Sequence, residues 1–277
     1  MQVIDGKKIA NKILGDLKIK VSQLPFQPLF CDILAGDDPV SLSYVKIKGK
    51  TAESVGIAFR LEQLGADVSE SDLLKKIAEL NAISHMCGLI VQLPLPPHIN
   101  RQAVLDAIKP EIDVDCLGTE NSNAFYNGES DFIPPTAAAV MRLIDELPAE
   151  YRSGQFAVVG QGQLVGKPVT HLLAERGYKV RTADKNTENV SAITSGADVI
   201  ISATGRASLI TTDFIKSGSA VIDAGTAEMD GGIAGDVDFK NIAQKTGFIT
   251  PVPGGVGPVT VSMLLYNVVK AAQQKQI

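Results

Sequence analysis

The chain has 277 residues, 45% of them apolar and 21% charged, with a net charge of −5. That length supports one large domain or two of moderate size. The mild acidity and the lack of long basic runs argue against a nucleic-acid scaffold and against binding to an anionic membrane.

No stretch approaches 18 unbroken apolar residues, and the N-terminus lacks an apolar signal core, so a cytoplasmic location is the expectation. Cys31, Cys87 and Cys116 are an odd number at wide spacing and read as reduced structural thiols. The histidines, His85, His98 and His171, have no metal-ligand spacing, and no metal is expected.

In chain order, the apolar spacing predicts a helix over 6–22, then a buried strand over "LFCDILA" (29–35). A helix over 39–55 follows, with Asp38 as its N-cap, Pro39 at its first position and Gly56 closing it. Tyr44 and Lys48 stand four apart and share one face of that helix. A tyrosine–lysine pair so placed is a candidate proton-transfer unit, or else a packed tyrosine beside a surface lysine. After a helix over 70–82, the run "GLIVQL" (88–93) reads as a strand. It puts Gln92 near the carboxyl end of a buried sheet, where doubly wound folds bind ligands and where a polar amide needs a partner. Segment 110–135 breaks the rhythm with Asp, Asn, Gly and Pro, including Asp113 and Asp115, and marks the domain crossing.

Beyond it lie a helix over 136–147 and a strand, "FAVVG" (156–160). The turn Gly160-Gln161-Gly162 follows, and Gly166 opens a helix over 166–176. Strand, glycine turn and helix in this order form a dinucleotide seat. The first glycine allows the tight turn, the second a close backbone approach, and the third helix–strand packing. The next strand ends at Asp184-Lys185, where such folds read the adenosine ribose. Asp184 suits the 2′-hydroxyl of NAD and Lys185 the 2′-phosphate of NADP, so the pair points both ways. Strands over 198–205 and 219–225, a Pro/Gly loop from 249 and a helix over 258–274 complete the chain. The alternation predicts an α/β protein of two lobes: an N-terminal α/β catalytic domain, and a Rossmann-type parallel-sheet domain with a cleft between them. The catalytic domain is expected over 1–120 with 258–277, and the dinucleotide domain over 121–257.

The fragments "DDPVSLSYVKIK", "GLIVQLPLP", "DVD", "VVGQGQLVGKP", "VIDAG", "GDVDF" and "TPVPGGVGPVT", in this order, resemble the methylenetetrahydrofolate dehydrogenase/methenyltetrahydrofolate cyclohydrolase family. The resemblance covers nearly the whole chain. It implies Lys48 as the central catalytic group, Tyr44 lining the folate site, Gln92 positioning the lysine and Asp115 anchoring the pterin. It further implies that Leu93, Pro253, Gly257 and Thr260 border the folate. The cofactor, NADP with NAD as the alternative, is expected on Gly160, Gln161, Gly162, Gly166, Asp184, Lys185 and Thr226. The expected partners are tetrahydrofolate one-carbon derivatives and a second copy in a homodimer. The family's usual Arg-Ser after the first glycine is Gln161-Gly162 here, and its Cys-His-Ser is Ala183-Asp184-Lys185. Its Gly-Phe-His-Pro after the anchoring aspartate is Cys116-Leu117-Gly118-Thr119. With the basic groups around a 2′-phosphate largely replaced, the rival reading is a cyclohydrolase-only or non-catalytic folate-binding homologue.

Overall fold

The computed structural model describes residues 1–229 and 232–275. The described residues divide into two compact units, one of Met1–Asn11 with Thr136–Thr260, the other of Lys12–Pro135 with the chain from Val261 onward.

The second of these is built on a parallel three-stranded sheet, in the order Ala58–Leu64, Leu29–Ala35, Met86–Val91. Its central strand is buried along nearly its whole length, as a parallel strand covered on both faces should be. Cys31, Ile33, Leu89 and Val91 turn to one face, into a cluster with Leu73, Ile77 and Leu80 of helix Glu70–Asn81. Side chains alternate along a strand, so Phe30, Asp32 and Leu34 turn to the other face. Helix Pro39–Ser54 begins as its sequence predicts. Asp38 accepts a hydrogen bond from the Ser41 amide at 2.7 Å, Pro39 occupies the first turn, and Gly56 exits at φ +93°.

The other unit carries a sheet whose strands run parallel in the order Gln2–Val3, Phe248–Ile249, Ala220–Asp223, Val199–Ser202, Gln155–Val159, Lys179–Ala183. Ala157, Val159, Ile200, Val221 and Ile249 form its core with Ile210, Ile215 and Ile242. This is the doubly wound parallel architecture that the strand–helix alternation predicts.

Three boundaries differ from the expected ones, the last by three residues, since the return to the three-stranded unit falls at 260/261 rather than 257/258. The N-terminal residues go with the nucleotide-type sheet, because Gln2–Val3 pairs with Phe248–Ile249 and Gly6 packs against the Gly255 carbonyl with no room for a Cβ. The crossing falls at 135/136 rather than 120/121. Residues 121–135 stay with the three-stranded unit because Asn121 donates to the carbonyls of Pro110 (2.8 Å) and Asp113 (3.1 Å), and Asn267 to those of Val114 (2.8 Å) and Ile133 (2.9 Å).

The three cysteines are buried free thiols. Among the described residues, no helix is long and apolar enough to cross a membrane, and no group of His, Cys, Asp and Glu is placed to hold a metal ion.

Candidate active site and dinucleotide turn

Lys48 lies on the buried face of helix Pro39–Ser54, one turn after the half-buried Tyr44, with 8% of its surface exposed. Its Nζ donates to Gln92 Oε1 at 2.8 Å. Gln92 is held in turn. Its backbone amide donates to the Ile33 carbonyl at 2.8 Å, extending the sheet by one rung past Val91, and its Nε2 donates to the Leu93 carbonyl at 2.8 Å. The amide therefore presents its oxygen to the lysine, an orientation fixed by the Leu93 bond. Leu93 joins the exposed Pro94 through a cis peptide.

A second partner of Lys48 was not anticipated from the sequence. Asp32, in the middle of strand Leu29–Ala35, has no exposed surface and places Oδ2 2.6 Å from Lys48 Nζ. Burial pushes its carboxyl up from the ordinary 3.8 to about 6. The Lys48 ammonium pulls the other way without cancelling that loss of hydration, and the Asp115 charge adds to the rise. The signal was present in "LFCDILA". A carboxylate inside an otherwise apolar run is almost never fully buried without a counter-charge, and Lys48 supplies it.

Asp115 sits near enough for the Lys48 charge to act on it, and burial raises its carboxyl. Its neighbour Asp113 does a different job. Asp113 accepts from the amides of Leu117 (3.4 Å) and Gly118 (3.0 Å), bending the chain so that Cys116 adopts φ +59°. Burial and the adjacent Asp115 push it to about 6. The structure thus brings Tyr44, Lys48, Gln92 and Asp115 into one unit, with Asp32 as an added member.

In the other unit the glycine turn has the predicted form. Gly160 leaves strand Gln155–Val159 at φ +92° and donates to the Ala183 carbonyl at 2.8 Å. A Cβ on Gly160 would collide with the Ala203 carbonyl, and one on Gly166 with that of Gly160. These two glycines are required by the turn itself. Gly162 is not, since a Cβ there would meet no atom within 4 Å. Gln161 turns inward: its Nε2 donates to the Gly160 carbonyl and to Thr170 Oγ1, both at 3.2 Å. Helix Gly166–Glu175 starts with no side-chain cap, its Lys167 amide donates to the Gly162 carbonyl at 3.1 Å, and Pro168 has no N–H.

Asp184 and Lys185 are both exposed. Asp184 Oδ1 is engaged locally, accepting from the Asn186 amide at 3.0 Å and Thr187 Oγ1 at 3.2 Å. Thr226 is exposed after Asp223, in a loop tied down by two buried carboxylates. Asp223 accepts from the amides of Gly225 (3.0 Å), Asp236 (3.1 Å) and Val237 (3.0 Å). Asp236 accepts from Ser202 Oγ (2.8 Å) and the amides of Thr204 (2.6 Å) and Arg206 (2.9 Å). In "VIDAG" and "GDVDF" neither of these aspartates carries a sequence signal for this role. Apart from the Gly225 amide, their partners lie 13 or more residues away in sequence, which no local pattern encodes. The Pro/Gly loop joins the same scaffold, with Thr250 Oγ1 accepting from the Asp223 amide at 2.8 Å. Within it Pro253 and Gly257 are exposed, and Thr260 donates to the Val256 carbonyl at 3.2 Å.

Two family models match the chain. The catalytic domain of tetrahydrofolate dehydrogenase/cyclohydrolase covers residues 4–115, and the NAD(P)-binding domain of the same family covers 134–276. The bifunctional protein FolD of Bacillus licheniformis is 42% identical over 276 residues, spanning 98% of this chain and 97% of its own. Among solved structures, the bifunctional dehydrogenase/cyclohydrolase FolD of Campylobacter jejuni superposes with a TM-score of 0.94 at 37% identity, covering all of both chains. The FolD of Trypanosoma brucei, complexed with NADP cofactor and inhibitor, superposes with a TM-score of 0.92 at 36% identity over 98% of this chain and 97% of that one.

Proposed function

The chain belongs to the tetrahydrofolate dehydrogenase/cyclohydrolase family, and from that premise we propose that it oxidises methylene-tetrahydrofolate to methenyl-tetrahydrofolate and hydrolyses the latter to 10-formyl-tetrahydrofolate. The observation that carries this reading is the half-buried polar cluster on the three-stranded sheet: a lysine held at 2.8 Å by a glutamine oxygen, one helical turn from a tyrosine and within the field of Asp115.

Lys48 is the proton-transfer group in this reading. Water adds to the methenyl carbon, Lys48 takes the proton the water sheds, and the same proton returns to the ring nitrogen as the bridge opens. Gln92 holds Nζ in place while this happens, and Tyr44 lines the folate. Asp115 accepts hydrogen bonds from the pterin. Leu93, Pro253, Gly257 and Thr260 are assigned to the folate's border, on the strength of the sequence resemblance.

The nicotinamide cofactor fits the glycine turn on structural grounds: the collapsed Gly160–Gly166 packing and the open space at Gly162 let a pyrophosphate approach the backbone at the start of helix Gly166–Glu175. Gly160, Gln161, Gly162, Gly166 and Thr226 would hold it. Bound there, it accepts the hydride that the methylene carbon gives up. We assign it as NADP, with exposed Lys185 facing the 2′-phosphate. NAD remains the alternative, in which Asp184 takes the ribose hydroxyls. The engagement of Asp184 Oδ1 by Asn186 and Thr187 favours the first. A homodimer in the cytoplasm is the accompanying proposal, and it rests on the resemblance alone.

The deciding experiment is nicotinamide reduction by purified protein given methylene-tetrahydrofolate, with NADP and NAD compared at equal concentration, beside methenyl hydrolysis. Turnover of both folates is expected, faster with NADP. If neither folate turns over, the functional reading fails. If NAD is faster, the assignment of Lys185 fails.

A further inference from the structure

The functional reading leaves one buried group beside Lys48 without a task. Asp32 has no exposed surface and sits in mid-strand, in register with Leu61 on one side and Ile90 on the other. Its neighbours on the same face, Phe30 and Leu34, are buried and apolar. An apolar side chain would fill the position without the several kcal/mol that burying a carboxylate costs.

What Asp32 contacts is informative. Oδ2 faces Lys48 Nζ at 2.6 Å, and Oδ1 has no hydrogen-bond partner among the described residues. The other charge acting from this side is Asp115, a second carboxylate. Cys31 precedes it on the opposite face of the strand, as a neutral thiol that burial pushes up to about 12. Helix Val256–Gln274 packs on Gly88 through Val268, but its Lys270 is engaged with Asp131, and Lys275, just past its end, with the Ser84 carbonyl. Lys48 is therefore pinned between two acceptors, the neutral oxygen of Gln92 and the charged oxygen of Asp32.

We propose that Asp32 is a positioning and proton-holding partner of Lys48, fixing its ammonium against Gln92 and taking a proton from it when the lysine must act as an amine. The proposal rests on the reading of Lys48 as the proton-transfer group in methenyl hydrolysis. The step balances without any co-reactant. One N–H proton passes from Lys48 Nζ to Asp32 Oδ2, converting an ammonium–carboxylate pair into an amine and a carboxylic acid. The amine lone pair then takes the proton shed by the attacking water, restoring the ammonium and leaving Asp32 protonated. As the bridge opens, Lys48 passes that proton to the ring nitrogen and takes up the remaining hydroxyl proton as the formyl carbonyl forms. Asp32 then releases its proton to solvent, so one water is consumed, one proton is released and the ammonium–carboxylate pair is restored. The dry surroundings favour the exchange, since they penalise the two charges and not the neutral pair.

The test is Asp32→Asn, which preserves shape and removes the charge. In the wild type, kcat for methenyl hydrolysis should fall on the acid side with a midpoint near pH 6, because a protonated Asp32 has no room for a second proton. In the variant that limb should vanish. Its kcat at pH 7 should drop on the order of ten- to a hundredfold, within the range of a general acid–base contribution, with KM changed less than about threefold. A variant with wild-type circular dichroism, kcat and pH profile would overturn the proposal. Carbon-13 NMR of the Asp32 carboxyl, assigned through its own Cβ protons, gives a readout that needs no turnover. The carboxyl should titrate near pH 6 in the wild type and markedly higher in Lys48→Met, and an unmoved midpoint overturns the pairing. Wild-type protein inert toward both folates would sink the functional reading instead, and the carboxyl titration would still decide whether the two groups share a proton.

Discussion

Asp223 and Asp236 in one unit and Asp32 in the other are equally removed from water, at 2%, 0% and 0% exposure, yet their partners differ in kind. Asp223 and Asp236 accept from backbone amides and a serine hydroxyl, so each holds distant loops against the sheet. Asp32 accepts from no amide and faces a single movable cation. A carboxylate surrounded by backbone donors stitches the fold, and losing it leaves several donors unpaired. One paired only with a lysine can be neutralised by a single proton shift. Burial alone does not separate structure from function here. The identity of the donor does.

The contrast can be broken in order of expected effect. Lys48→Met should lower methenyl hydrolysis by roughly a hundred- to ten-thousandfold, measured as kcat on protein with a wild-type circular dichroism spectrum. A loss below tenfold would remove Lys48 from the chemistry and leave its pair with Asp32 merely structural. Asp223→Asn tests the other side. The amide nitrogen cannot accept from the backbone, so about 2–4 kcal/mol of stability should be lost, seen in denaturant unfolding. Asp32→Asn should cost under about 1 kcal/mol, because the fold hangs no amide on it. Equal losses for the two would end the distinction.

A pH scan of stability sharpens the same point. Asp32, Asp113 and Asp223 are each raised from 3.8 to about 6, with burial the main cause in all three. The folded state therefore binds more protons than the unfolded chain between about pH 4 and 6, so stability falls as pH rises through that window. Each group withholds at most about 3 kcal/mol above it. The exposed Asp38 and Asp72 are lowered by their hydrogen bonds to Ser41 and Ser69, and they lose their contribution only as pH drops below about 4. The melting temperature should peak near pH 5 and decline toward 7.5. In Asp32→Asn the decline should be shallower. A profile still rising at pH 7.5 contradicts the burial argument.

How much of this was legible beforehand depended on whether the cause was local. Strand Leu29–Ala35 and helix Gly6–Ser22 match the expected ranges, and helix Pro39–Ser54 matches to one residue, because continuous apolar runs and caps act over a few positions. The pair Tyr44 and Lys48 followed from helical spacing. Strand Ala58–Leu64 escaped because it is half buried and has no continuous apolar run. Pairing of Gln2–Val3 with Phe248–Ile249, and hence the membership of the first residues, is set by contacts between opposite ends of the chain. Asp32 was hidden in plain view, a charge outvoted by six apolar neighbours until the lysine that neutralises it was placed beside it.

The smallest predicted effect separates packing from ligand binding within the glycine turn. Gly166→Ala drives a Cβ into the Gly160 carbonyl, a backbone atom that cannot swing away, so the turn must open and stability should fall by about 2 kcal/mol or more. Gly162→Ala meets nothing within 4 Å, and its φ is not in the left-handed region, so unfolding should shift by less than about 0.5 kcal/mol. If the turn seats a pyrophosphate, that same methyl group stands where backbone must approach the ligand, and the KM for the nicotinamide cofactor should rise several-fold while methenyl hydrolysis, which consumes no cofactor, stays unchanged. A Gly162→Ala protein with unaltered stability and unaltered cofactor KM would mean that the second glycine serves neither packing nor binding, and the cofactor seat would then rest on Gly160, Gly166 and the helix start alone.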